Sequence, residues 1–190
     1  ILNASTESRR LARFVEQRQD LAYCLERARD QGKLQTRLIH GDPKVTNIMI
    51  DEFTGKGTSI IDLDTVKPGL IHYDFGDALR STCNPAGEEV ENLNEVYFDV
   101  DLCDSYIKGY MTHARFFLTE ADRAFLFDSI RLLAFELGLR FFQDYLAGNV
   151  YFKVRYPEQN LIRARVQFKL CESIEARERQ IRAVLDDASR

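Results

Sequence analysis

His40, Asp42, Lys44 and Asn47 stand within eight residues, in the run His40-Gly41-Asp42-Pro43-Lys44-Val45-Thr46-Asn47, with the spacing H-x-D-x-K-x-x-N. Phosphoryl transfer is a chemistry that needs these four types together. An attacking hydroxyl must lose its proton to an acceptor, which Asp42 can supply. The phosphates need Mg²⁺, a hard cation that takes oxygen ligands, and the Asn47 side-chain oxygen is one. Charge builds on the group in flight, and Lys44 is a positive partner within reach of it. His40 suits a bracing role, holding the loop by hydrogen bonds. A second metal ligand must come from a neighbouring element, and Asp62 ends the apolar run Ile60-Ile61. Taken singly, Gly-Asp-Pro is a common turn and a lone Asp at a strand end is usually a cap; the conjunction favours catalysis.

The elements that must position these residues follow from the hydrophobic pattern. Strands are expected over 37–40, 47–51 and 58–63, with Thr54-Gly55-Lys56-Gly57 as the turn between the last two. Residues 47–63 then form a hairpin, which carries Asp62 back beside Asn47 although fifteen residues separate them. A helix starting at Ser5 or Thr6 is expected to end near Gly32, and Pro68-Gly69 breaks the chain before another that starts at Tyr73 or Asp74. Residues 84–96 read as an acidic loop. Three longer helices are expected over 99–114, 119–146 and 158–187. The fold class is therefore α+β and mostly helical, with a small hairpin carrying the catalytic and metal residues.

Composition removes several classes of function. A net charge of −4 disfavours nucleic acid and anionic membranes as partners, since both call for a basic face. No apolar run reaches bilayer length. Cys24, Cys83, Cys103 and Cys171 are scattered without a C-x-x-C pair, so idle thiols of a cytoplasmic protein are expected. Cys83-Asn84-Pro85-Ala86-Gly87 departs from the sulfatase C-x-P-x-R core at Gly87 and reads as a loop.

The runs IHGDPKVTN, IIDLDTVKPG and YDFGDALRS resemble the C-terminal lobe of the aminoglycoside phosphotransferase and choline kinase superfamily, which has a protein-kinase-like fold. Within it, ELGLRFFQDYLAGNVYFKV and NLIRARVQFKL are most similar to the N-acetylhexosamine 1-kinases, and the likeness extends over 37–170. The resemblance implies ATP and Mg²⁺ as cofactors and Asp42 as catalytic base. It implies Asn47 and Asp62 as Mg²⁺ ligands and Asp64 as an auxiliary metal or substrate carboxylate. Asp74 matches an aspartate that hydrogen-bonds back to the catalytic loop; as a bare sequence feature it reads equally as a helix N-cap. Gly41 stands where protein kinases carry Arg, which suits a small-molecule kinase.

On the acceptor side, residues 125–146 are apolar almost all round except for one row, Glu136, Arg140 and Asp144. Either that row is a ladder of ion pairs, or Arg140 faces the cleft and contacts the acceptor or the phosphate. The resemblance favours the second, with Tyr151 as a further sugar contact. Acidic residues between 88 and 104 raise a cationic acceptor such as an aminoglycoside or choline, although a solvated loop is the stronger expectation. Neither G-x-G-x-x-G nor a Walker A pattern occurs, and the chain opens on Ile1. Residues 1–190 are thus expected to be one C-terminal lobe that needs the N-terminal lobe of the same enzyme for nucleotide binding, and to be inactive alone. A sugar 1-kinase, a kinase for cationic alcohols and a non-catalytic binding module are the three functions carried forward.

Overall fold

A computed structural model describes residues 6–188, and helix α1 (Thr6–Glu16) opens them; Ser5, the other candidate helix start, lies outside. The single helix expected up to Gly32 is broken. A 3-10 turn over Gln19–Tyr23 separates α1 from α2 (Cys24–Asp30), with Arg18 leaving helical geometry at φ −120°. The Arg18 side chain explains the break: it stacks on Phe14 and makes a two-pronged bond to Glu175, at 3.0 and 2.7 Å. Arg18 has no Pro or Gly signature, so sequence periodicity runs straight through it.

Strands β1 (Arg37–Ile39), β2 (Ile48–Ile50), β3 (Gly57–Ile60) and β4 (Lys67–Gly69) form two small antiparallel sheets, β1 with β4 and β2 with β3. The β2–β3 hairpin has the expected pairing, with Ile48 opposite Ile60. Strand β4 was read as a chain break because of Pro68, yet a proline is tolerated on the edge of a two-stranded ribbon. Helices α3 (Ile71–Thr82), α4 (Val100–Ala114), α5 (Glu120–Ala124), α6 (Leu126–Leu146), α7 (Gln159–Ala176) and α8 (Glu178–Ala188) follow. The Asp99 side chain caps α4 by accepting from Asp101 and Leu102, and Thr119 with Asp122 forms a reciprocal capping box on α5. The long helix expected up to residue 187 instead turns at Arg177, which lets α8 fold back against α4.

Helix α6 is the central element, flanked by α3 and α7. Phe75 and Leu79 from α3, Ile130 and Phe135 from α6, and Leu170 and Ile174 from α7 are fully buried in one continuous core. The chain is α+β and mostly helical. None of its described helices is long and apolar enough to cross a membrane. All four cysteines are free.

His72 on α3 is buried beneath β1, its Nε2 donating to the Asp122 carbonyl at 2.9 Å, and burial holds its pKa below the ordinary 6.5. The unfolded chain therefore takes up a proton at 6.5 that the folded chain resists. Stability from this residue is present above that value and is lost as pH falls below it. Thermal melts should weaken more steeply between about pH 7 and pH 5 in the natural chain than in His72→Gln, which titrates nothing in that range. Parallel pH profiles would contradict the assignment.

Candidate active site

The loop after β1 is fixed from three sides. Its first anchor is Asp74, whose Oδ2 accepts from the His40 backbone N–H at 2.7 Å and whose Oδ1 accepts from the Gly41 N–H at 2.8 Å. Asp74 is not the N-cap of α3, because the helix starts at Ile71 with Leu70 in the cap position. It sits inside the first turn and points at the loop, so the loop takes its position from a helix packed into the core. The second anchor is the His40 ring. Nε2 lies 3.0 Å from the Ile61 carbonyl and Nδ1 lies 3.3 Å from the Asp42 backbone N–H. A neutral imidazole protonated on Nε2 satisfies both. The third is Thr65, whose hydroxyl donates to the His40 carbonyl at 2.7 Å. Gly41 is required here: φ is +86°, and a Cβ would lie 2.6 Å from the Thr65 carbonyl oxygen.

Asp42 is the convergence point of the loop. Lys44 Nζ donates to its Oδ2 at 2.5 Å, while the buried Asn47 amide donates to its backbone carbonyl at 2.8 Å and to Oδ2 at 3.3 Å. Asn47 thus commits its nitrogen to the loop and keeps its oxygen for a cation. Hairpin pairing brings the next segment alongside, since Ile61 N–H donates to the Asn47 carbonyl at 2.9 Å. Asp62 follows immediately, in a left-handed conformation at φ 66°, with an exposed carboxylate that has no protein partner among the described residues. Asp64 is exposed in the short turn over Leu63–Thr65.

Among the described residues, no group of three or more His, Cys, Asp or Glu side chains could hold a metal unaided. The Asn47 amide oxygen and the Asp62 carboxylate, one residue past the Ile61–Asn47 backbone bond, are oxygen donors of the kind Mg²⁺ takes. That ion keeps several waters and takes substrate phosphate oxygens in place of a full protein cage.

A cleft of about 780 Å³ opens beside the loop, and Asp42, Lys44, Asp77, Glu136, Arg140 and Tyr151 are on its walls. Asn47, Asp62 and Asp64 lie outside that lining. The ladder considered for α6 does not form: among the described residues Arg140 makes no ion pair. Its guanidinium carbon lies 5.8 Å from the Tyr151 ring centre and 5.5 Å from that of Phe152. Asp144 turns away to bind backbone. Burial pushes the Glu136 carboxyl up, opposed by the charges of Arg140 and Lys67.

Sequence reasoning missed the residue at the base of the cleft. Arg80 is buried and bridges Asp77 and Glu88, at 2.8 Å to each. Burial pushes the Asp77 carboxyl up, Arg80 opposes it, and the charges of Asp42 and Glu88 add to it. The signal in the sequence was the i, i+3 pair of Asp77 and Arg80 next to an acidic loop. That loop is also not simply solvated. Glu89 takes Arg163, Arg155 (2.5 Å) and Gln159 (2.9 Å), so residues 88–89 are tied to α3 on one side and α7 on the other.

A carboxylate and a cation on the wall of one cleft, with the Asn47 amide bonded to that carboxylate from outside the lining, match the division of labour in phosphoryl transfer. A family model described as the phosphotransferase enzyme family (APH) matches residues 2–106, more than half of the chain. The matched stretch contains the Asp42 loop, the hairpin and the Asp74 anchor, whereas Arg140 and Tyr151 lie beyond it. With catalytic geometry and family match falling on the same residues, this chain belongs to the phosphotransferase enzyme family.

Proposed function

We propose that the chain is the protein-kinase-like C-terminal lobe of an enzyme that moves the γ-phosphoryl group of ATP to a small-molecule hydroxyl, the anomeric hydroxyl of an N-acetylhexosamine. Asp42 takes the hydroxyl proton as the oxygen–phosphorus bond forms and the bond to the ADP oxygen breaks. Lys44 offsets charge on the transferring group. Asn47 and Asp62 would hold Mg²⁺, which neutralises phosphate charge, with Asp64 as an auxiliary carboxylate. His40 and Asp74 keep the loop in place. Arg140 and Tyr151 contact the acceptor. The partner of this lobe would be the N-terminal lobe of the same enzyme, and the hairpin favours one: Met49, Ile50, Phe53, Ile61 and Leu63 all expose large apolar side chains on it. ATP as donor fits a cytoplasmic enzyme.

The observation that carries the choice of acceptor is the pairing of charges in the cleft. A polycationic aminoglycoside or a choline-like amine needs carboxylates free to receive it. Here Arg80 already occupies Asp77 and Glu88 and Lys44 occupies Asp42, which leaves Glu136, a half-buried carboxyl that burial favours in its neutral form, while the exposed charge is the cation Arg140 beside two aromatic rings. Aromatic faces with a hydrogen-bond donor suit a neutral, polyhydroxylated ring. A non-catalytic module is the weaker reading, because Asp42, Lys44 and Asn47 are in mutual contact and Asp62 is open.

The test is phosphate transfer from labelled ATP by the intact protein to N-acetylhexosamines, choline and an aminoglycoside. Label on the hexosamine alone is expected. Label on either amine would overturn the acceptor assignment, and no transfer to any acceptor would overturn the kinase reading.

A further inference from the structure

The aromatic wall of the cleft is a feature of a loop, and that loop is held by a single carboxylate. Helix α6 ends at Leu146 and is followed by Gly148, at φ +90°, and Asn149, at φ 61°. After two consecutive left-handed residues the chain reverses, and three successive backbone N–H groups point inward at Asp144. Its Oδ1 accepts from Val150 at 2.9 Å and Tyr151 at 2.8 Å, and its Oδ2 accepts from Phe152 at 2.9 Å. The fourth donor is the buried Asn160 of α7, whose Nδ2 reaches Asp144 Oδ2 at 2.9 Å and Asn149 Oδ1 at 3.0 Å. Asn149 in turn donates to the Pro157 carbonyl at 2.9 Å, closing the loop onto the start of α7.

This density of bonds serves little packing. Tyr151 is 74 % exposed, and its ring rests edge-on against Phe152 at 4.8 Å, while Phe152 packs on Phe141 at 4.7 Å. A network that fixes the backbone beneath a side chain left in solvent at the rim of a cleft is suited to a ligand that has yet to arrive. Fixing the wall beforehand removes the ordering cost from the binding step.

We propose that Asp144 and Asn160 are positioning residues for the acceptor: they lock Tyr151 and Phe152 beside Arg140, so that a sugar ring meets a preformed aromatic wall. This rests on the acceptor reading above. Asp144 touches no substrate and acts through Tyr151 and Phe152. Only a carboxylate serves, because all four donors face its two oxygens. An amide would turn an N–H₂ group toward one pair of them and leave those donors unpaired.

The experiment is steady-state kinetics of the intact enzyme with N-acetylhexosamine varied at saturating ATP, then the reverse. Asp144→Asn is expected to raise the acceptor KM about tenfold, with kcat and the ATP KM within about twofold. Tyr151→Ala should raise the acceptor KM comparably, and adding Asp144→Asn to it should change KM by less than about threefold more, since both act on one contact. A lowered melting temperature with an unchanged acceptor KM would overturn the proposal, as would full additivity of the two changes. If Asp144→Asn does not fold, Asn160→Ser keeps the three backbone bonds, and a rise of about threefold in acceptor KM is expected from the loosened carboxylate; no rise overturns the proposal. Tyr151→Ala with an unchanged KM would refute the acceptor site itself, a result distinct from failure of the Asp144 coupling.

Discussion

Asp42→Asn is expected to lower kcat for phosphotransfer by about 10²–10⁴-fold in the intact enzyme. The substitution is nearly isosteric and the loop around it is held by other residues, chiefly Asp74, His40 and Thr65. What the amide lacks is basicity, and with it the ability to take a hydroxyl proton. The contact from Lys44 also weakens when the negative charge is gone, which adds to the loss. The ATP KM should stay within about threefold, because the residues assigned to the phosphates and their cation are untouched. Asp42 is partly exposed and lies at the rim of the core, so the melting temperature should move by less than about 2 °C. A variant that keeps more than about a third of the natural kcat would remove Asp42 from the role of base.

Gly76→Ala is expected to be the most damaging single methyl in the chain. Gly76 is where α3 crosses α6, and a Cβ there would sit 2.4 Å from the Ser129 carbonyl oxygen, 2.8 Å from its carbon and 3.0 Å from Leu133 Cδ2. Two of those atoms are backbone and cannot swing aside. The helices must separate, which opens the contact between Phe75, Leu79 and Ile130. Overpacking of this kind costs about 1–3 kcal/mol, and a chain of this size loses about 2–4 °C per kcal/mol, so a fall of roughly 2–12 °C is expected. Activity should fall as well, because α3 also carries Asp74 and Asp77. Calorimetry of the purified variant decides it, and a midpoint within about 2 °C of the natural chain would show that the helices yield without strain.

Local structure was legible in the sequence where it is written in short-range pattern. The loop from His40 to Asn47 and the hairpin after it follow from turn residues and alternation. Asp62 beside Asn47 follows from the pairing alone. Helix breaks at Arg18, Phe125 and Arg177 were not legible, because they carry no Gly or Pro, and at Arg18 the bond that accompanies the break reaches Glu175, far along the chain. Asp74 as a bare sequence feature is a residue near a helix start, and only the family resemblance pointed to the loop; its two bonds to His40 and Gly41 span more than thirty positions. Arg80 was hidden for a similar reason. Its second partner, Glu88, sits in a stretch whose composition suggests solvent, and only the packing of α3 shows that the charge is enclosed. Asp144 was read as one rung of a charged row, whereas its donors come from a turn whose shape depends on two left-handed residues.

The guanidinium of Arg80 joins the base of the cleft to the loop over residues 88–89, and this stiffens one flank of it. Lifting residues 88–89 would strip one of two counter-charges from an enclosed cation and undo the grip of Arg155 and Arg163 at the same stroke. The cleft is thus braced at residues 88–89 by paired charge, while the exposed ring of Tyr151 on its wall stays open to an arriving molecule.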